Sequence, residues 1–276
     1  MTMHEWTTSH LRGALAGLAA IGLVACGPRE PTTDAERLAR GRELVQQMSD
    51  RLAAAPQASA TTTESRDVVR ASGKKESVPL TGEYTIRRPD RFHARIVGGR
   101  GLEAWYDGRR LTVAVPYDKV FARAPMPDTI DRTLDAVAER YDVVMPLADL
   151  FHSSPQRALL SDTTTGGYAG IENVGDTSCY YLAFQDAGAD WEIWLPVEGE
   201  PLPKRLKIVQ KRRTGQPVTD VTFTAWNLAS PLSDATFVAN VPADYEGIAM
   251  LQRAAAVKHR ASAGTATDAA APAAGK

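Results

Sequence analysis

The sequence predicts an α+β fold, an antiparallel β-sheet with helices grouped on one face. Three observations carry this. Short runs of alternating apolar and polar residues fill most of the chain between positions 59 and 228 and are separated by turn residues. The segments with helical spacing stand apart from these runs instead of alternating with them strand by strand, as a parallel sheet requires. Asp107-Gly108 lies between two alternating runs, the strongest short-range hairpin signal.

The chain opens on an uncharged stretch, residues 14 to 25, that runs directly into Cys26-Gly27. It is shorter than the roughly 20 apolar residues a membrane-spanning helix needs. Its length suits the apolar region of a signal peptide, with small Ala25 before the cleavage point. Leu23-Val24-Ala25-Cys26 resembles the bacterial lipobox. The resemblance implies that the Cys26 thiol receives a diacylglycerol and that the signal is cut just before it. Two or three acyl chains anchor a protein stably where a single chain is marginal. Gly27 stands where an aspartate acts as an inner-membrane retention signal, so the expected location is the bacterial outer membrane, lipid-anchored and facing the periplasm.

The next element is an amphipathic helix over residues 34 to 54. Thr33 and Glu36 have capping-box spacing, Leu38, Val45, Met48 and Leu52 form one stripe, and Pro56 ends the helix. Strands follow from about Ser59: Glu83 to Arg87, a turn at Pro89-Asp90, Phe92 to Ile96, Leu102 to Tyr106, Leu111 to Val115, and another over Tyr117 to Ala122. Gly99-Arg100-Gly101-Leu102-Glu103-Ala104 matches the dinucleotide-binding fingerprint letter by letter. The residues after it read as strand and hairpin, where that fingerprint requires a helix, so it is a glycine-rich turn.

The middle is helical. Ile130, Leu134, Val137 and Tyr141 share a face, and a second helix runs from Leu147 to His152, stopping before Pro155. Strands resume at Tyr168 to Val174, Ser178 to Phe184, Trp191 to Leu195, Arg205 to Lys211 and Val218 to Leu228. From Ala254 the composition offers almost nothing to bury. The chain therefore divides into a signal peptide (1–25), a tether (26–33), a sheet domain with its N-terminal helix (34–248) and an Ala-rich tail (249–276).

Composition excludes several function classes. Net charge is −1, and removing the signal takes one acid, Glu5, and one base, Arg12, so it stays near −1. The arginine pairs are scattered, which argues against nucleic acid as a partner. With Cys26 lipidated, Cys179 has no partner for a disulfide, and its strand-like surroundings offer no cation to activate the thiol. There is no HExxH, paired Cys-x-x-Cys or Gly-x-Ser-x-Gly, so neither a zinc site nor a serine nucleophile is indicated, and no metal or cofactor is expected. His93 reads as a surface residue. The expectation is a protein without catalytic activity; a hydrolase requires Asp107, Asp149 or His152 to converge in one pocket.

The positive signal is one apolar strand face. Alternating positions, among them Tyr84, Phe92, Ile96, Tyr106, Val113, Leu182, Phe184, Ile193, Leu206 and Phe223, share one side of their strands. They serve either as core beneath the helices or as the lining of an apolar cleft between a curved sheet and those helices.

Several blocks also resemble a family of predicted periplasmic lipoproteins, domain of unknown function 2092. These include Arg88-Pro89-Asp90-Arg91-Phe92, Trp105-Tyr106-Asp107-Gly108 and Pro146-Leu147-Ala148-Asp149-Leu150. Tyr168-Ala169-Gly170, Asp190-Trp191-Glu192-Ile193-Trp194 and Pro201-Leu202-Pro203-Lys204 follow. The resemblance spans roughly residues 35 to 245 and extends to the lipoprotein carriers of the Lol system. It implies a strongly curved antiparallel half-barrel with helices over its concave face, and a lipid, acyl chain or other hydrophobic small molecule as partner. An envelope-stress sensor or scaffold that binds a protein through a similar half-barrel is the alternative. The resemblance supplies no catalytic residues.

Overall fold

The structure, a computed structural model, describes residues 30–141, 147–161, 163 and 165–250. Cys26, the signal segment and the tail from residue 251 onward lie outside the described residues.

Helix α1 (Asp34–Ala53) begins as its sequence requires. Thr33 Oγ1 accepts from the Glu36 amide at 3.2 Å, and the Glu36 carboxylate accepts from the amides of Thr32 and Thr33 at 2.8 and 2.9 Å. These bonds hold the Glu36 carboxyl down at about 2, with the Thr32 amide the largest contributor. Leu44, Val45, Met48 and Leu52 are buried on one stripe, and Leu38 is half-buried at its N-terminal end.

Among the described residues, eleven strands form antiparallel pairs: β1 (Gln57–Val69), β2 (Lys75–Arg87), β3 (Arg91–Val97), β4 (Leu102–Tyr106), β5 (Arg110–Val115), β6 (Val120–Pro125), β7 (Thr165–Val174), β8 (Thr177–Gln185), β9 (Ala189–Pro196), β10 (Arg205–Gln210) and β11 (Val218–Asn227). A twelfth, β12 (Glu246–Ile248), pairs in parallel with β6. The spatial order is β12-β6-β5-β4-β3-β2-β1-β11-β10-β9-β8-β7. The result is one large curved sheet that does not close on itself. Its two meanders, β2 to β6 and β7 to β11, meet at the central strand β1, which pairs with both β2 and β11. Irregular register leaves Thr224 of β11 unpaired opposite Thr61/Thr62 and Ala169 of β7 unpaired between Tyr168 and Gly170, and such bulges bend a strand.

Most turns follow their sequence signals. Gly98, Gly99 and Gly101 take positive φ between β3 and β4, so the fingerprint-like run is a turn. At Asp107-Gly108 the aspartate Oδ1 accepts from the amides of Arg109 and Arg110 at 3.0 and 2.8 Å. The strand expected over Tyr117 to Ala122 starts later, at Val120. Lys119 adopts a left-handed conformation (φ 53°) and closes a turn that leaves Tyr117 exposed.

Between β6 and β7 lie α2 (Ile130–Tyr141), α3 (Ala148–Phe151) and α4 (Pro155–Leu160). The sequence predicts that the helical region stops before Pro155. Here Pro155 starts α4 at a first-turn position, where a missing amide hydrogen breaks no helical bond. Arg88 ties α3 to the sheet, donating from Nη1 to the Phe151 carbonyl and from Nη2 to the His152 carbonyl, both at 3.0 Å.

After β11 the chain crosses the outer face of the sheet. Gln57 Nε2 donates to the Ser230 carbonyl at 2.6 Å, and Arg87 pairs with Asp234 at 2.5 Å. Arg87 also lies 5.0 Å over the ring of Phe237, which is buried on a 3-10 turn (Asp234–Phe237) packed against β3. A Lys119–Asp244 ion pair at 2.8 Å then leads into β12.

Candidate functional site

The two halves of the concave face are filled differently. Over β7 and β8 the helix α1 presses against the sheet. Gly41 and Gly167 permit that approach, since a Cβ on Gly41 would lie 2.7 Å from the Gly167 Cα. Arg40 lies 5.3 Å over the Tyr180 ring. Leu44, Val45, Met48 and Leu52 join Leu182, Ile193 and Leu206 in one packed core.

The other half holds a cavity of about 370 Å³ between β2–β6 and the helices α2 and α3. Strand register explains the space. Ile86, Phe92, Tyr106, Leu111 and Ala124 form one cross-strand row of mainly large residues. Another row brings Ile96 beside Leu102 and Val115 beside Val120. The row between them reads Tyr84, Ala94, Ala104, Val113, Ala122, and β12 extends it with Ile248. Three alanines there leave room that large side chains would fill. The roof is the α2 face of Ile130, Leu134, Val137 and Tyr141, with Leu147, Ala148 and Phe151 beside it. Tyr84 and Phe151 meet across the space with ring centroids 5.8 Å apart. Ala249 and Met250, assigned to the tail from sequence, contribute to the rim.

The predicted cleft residues therefore divide. Tyr84, Phe92, Ile96 and Val113 line the cavity. Tyr106 lies in a flanking row, fully buried, and its hydroxyl donates to the Pro127 carbonyl. Leu182, Phe184, Ile193, Leu206 and Phe223 are packed core on the β8–β11 half, with Phe184 stacked on Trp191 at 4.3 Å and Phe223 on Trp226 at 4.9 Å. Alternation assigns a face but does not say which part of that face a helix occupies. Sequence reasoning misses the floor alanines; their signal is a small residue at an inward position of β3, β4 and β6.

Arg66 is the other residue the sequence did not single out. It lines the cavity and pairs through Nη2 with Glu64 at 2.5 Å, a carboxylate with no exposed side-chain surface. Thr62 and Tyr84 hydroxyls donate to Glu64 Oε1 at 2.7 and 2.6 Å, and Arg66 Nε donates to Oε2 at 2.8 Å. Burial, with the Glu64 charge alongside, pushes the Tyr84 hydroxyl well above its ordinary value.

The remaining polar candidates lie outside this cluster. His93 alternates with inward Phe92 and Ala94 on β3, borders the cavity, and is held by stacking on Trp105 and by Glu103 at 2.9 Å. Cys179 is buried in β8, and burial pushes its thiol up. Asp107 is committed to its turn. His152 lies 3.9 Å from both Asp131 and Asp135. Burial pushes the Asp149 carboxyl up, nearby His152 works against that, and Asp135 adds to it. Among the described residues no interaction joins Asp107 to Asp149 or His152, and no group of His, Cys, Asp and Glu is placed to hold a metal ion.

Comparison with known proteins gives fold likenesses at low identity. An uncharacterised conserved protein from Thermus thermophilus is 11% identical, with a TM-score of 0.45 over 75% of this chain and 98% of that one. MucB, in the MucA/MucB complex of Pseudomonas aeruginosa, is 14% identical with a TM-score of 0.40, over 75% of this chain and 63% of that one. A LolA superfamily protein from Nitrosomonas europaea is 11% identical with a TM-score of 0.36, over 72% and 98%. No curated relative matches the chain in sequence. The model of one family, described as predicted periplasmic protein (DUF2092), matches residues 41–251, so the chain belongs to that family of predicted periplasmic proteins.

Proposed function

We propose that the domain binds a hydrophobic ligand, an acyl chain or comparable apolar molecule, in the space between β2–β6 and the helices α2 and α3. The observation that carries this is the cavity of about 370 Å³, lined almost wholly by apolar side chains. Its size falls in the range of small-molecule sites. Burying apolar ligand surface at about 25 cal/mol per Å² supplies affinity without dedicated polar groups. No catalytic step is proposed. Titration with a fluorescent fatty acid, supported by native mass spectrometry after gentle extraction, tests the reading. Saturable 1:1 binding is expected, and absence of any bound lipid in both assays defeats it.

The domain is proposed to sit at the periplasmic face of the outer membrane, anchored through lipidated Cys26. Radioactive palmitate should label the wild-type chain and not Cys26→Ser. Equal labelling of the two chains, or none of either, overturns the anchor.

A protein partner is a second reading. It is supported by β7, a ten-residue edge strand paired on one side only, with Ile171 about half exposed. An extended peptide adds to such an edge by main-chain hydrogen bonds. Crosslinking from Ile171 in cells should then trap one discrete species.

A further inference from the structure

The cavity has one polar wall, and donor and acceptor accounting there specifies a ligand. Glu64 is buried beside an otherwise apolar space. An ion pair in such a place is poorly explained by stability, because well-packed apolar residues often serve as well or better. Its acceptor capacity is taken. Oε1 receives the Thr62 and Tyr84 hydroxyls, and Oε2 receives Arg66 Nε and Nη2. The Tyr84 oxygen, having donated its proton, accepts from Arg66 Nη2 at 3.2 Å. A ligand therefore finds no acceptor on Glu64 to donate to. What remains is on the other side of the ledger. A guanidinium carries five N–H donors, and Nη1 of Arg66 has no protein acceptor among the described residues, while the side chain is 23% exposed and lines the cavity.

The position is as informative as the chemistry. Arg66 pairs with Val78 on β2, and β3 has already ended at Val97, opposite Thr81. The cluster thus stands at one end of the cavity, beyond the Ile96 row, and Phe92 and Ile86 stand toward the other. A molecule lying across the alanine floor has its chain against the aromatic end and its terminus at Arg66.

Resting on the hydrophobic-ligand reading above, we infer that Thr62, Glu64, Arg66 and Tyr84 form a head-group subsite. The ligand is a single-chain amphiphile whose head presents an anionic oxygen, carboxylate or phosphate, to Arg66 Nη1. Glu64 orients the guanidinium and neutralises its charge in the unliganded protein. The head adds a charge-assisted hydrogen bond, stronger than one between neutral groups.

The test uses the full chain stripped of lipid, with N-phenyl-1-naphthylamine as an apolar reporter that has no anionic head. Hexadecanoate, hexadecyl phosphate and hexadecyltrimethylammonium compete against it. The reporter should bind, and at least one anionic amphiphile should displace it at about tenfold lower concentration than the cationic one, the difference one such hydrogen bond makes. Preference between the two anions identifies the head. In Glu64→Gln/Arg66→Met, which keeps an amide for Tyr84 and Thr62, the gap between the anionic and cationic amphiphiles should close, whatever the reporter's own affinity. Equal potency of the three amphiphiles on the wild type, or a gap that persists in the double variant, overturns the subsite and leaves the apolar cavity standing. A reporter that does not bind the wild type overturns both. The wild-type ranking needs no variant, so it decides even if the double variant does not fold.

Discussion

The hydroxyl of Tyr84 donates to Glu64 Oε1 at 2.6 Å, joining a carboxylate hidden from solvent to the ring that faces Phe151 across the cavity. Sheet, polar cluster and helical cover meet at this pair. Tyr84→Phe leaves Oε1 with the Thr62 hydroxyl as its remaining donor. The expected loss is about 1.5–3 kcal/mol, the contribution of one hydrogen bond to a charged group, read from urea unfolding. Arg66→Ala removes the counter-charge as well and should cost roughly 3–5 kcal/mol. If Tyr84→Phe unfolds at the wild-type midpoint, the bond contributes nothing.

The alanine floor predicts a contrast between two similar substitutions. Ala104→Leu projects into the cavity. It should leave stability within about 1.5 kcal/mol, as substitutions that a core can accommodate do, while reducing binding of an apolar dye. Ala60→Leu, beside Tyr84 but not on the lining, overpacks a filled site and should cost about 1–3 kcal/mol. Thermal melts and dye titration of the two variants, side by side, settle the point.

Gly41 predicts a packing failure. A Cβ there meets the Gly167 backbone at 2.7 to 2.9 Å, and backbone cannot swing aside. Gly41→Ala improves helix propensity by up to about 1 kcal/mol in isolation, yet the protein should melt lower because α1 is forced off β7. A rise in Tm contradicts the close approach.

Asp149 gives a pH dependence. Burial raises its pKa in the folded protein, so the fold favours the protonated form. That favourable contribution is fully present below the unfolded value and is lost as pH rises through the folded value. Asp149→Asn should therefore be more stable than wild type at neutral pH, by roughly 2–4 °C in Tm for each kcal/mol in a domain this size. The advantage should vanish in acid. An advantage independent of pH assigns the effect to packing.

Arg88 secures the cover. Its two hydrogen bonds to the end of α3 should protect that segment from hydrogen exchange, and Arg88→Met should raise exchange over 150–155 more than elsewhere. Arg88→Lys should not restore protection, because an ammonium lacks the planar fork that reaches two carbonyls at once. Uniform exchange across the chain in Arg88→Met removes the latch.

Local chemistry made much of the fold legible. The Thr33/Glu36 box, the Asp107-Gly108 turn and the inward residues of β3, β4 and β5 are set by neighbours a few positions away. The α2 face of Ile130, Leu134, Val137 and Tyr141 was also readable from helical spacing, and it is the roof. What escaped has long-range causes. β12 is too short to carry a pattern of its own and exists because β6 offers it an edge. Phe237 is buried only because the segment after β11 crosses the outer face. Ala94, Ala104 and Ala122 look unremarkable singly and define a floor only when register aligns them.

Most of the elements, the antiparallel character of the sheet and the apolar side of each strand are readable in the sequence, because they follow from periodicity and turn geometry. Where that apolar side is filled and where it is left open depends on packing in the folded chain. The outcome turns on a helix-to-strand approach at Gly41 and Gly167, on three alanines brought into line by register, and on a buried Glu64 whose donors come from β1 and β2. The helix-to-strand approach, the alignment of the alanines and the Tyr84–Glu64 bond all join residues distant along the chain, and packing sets them.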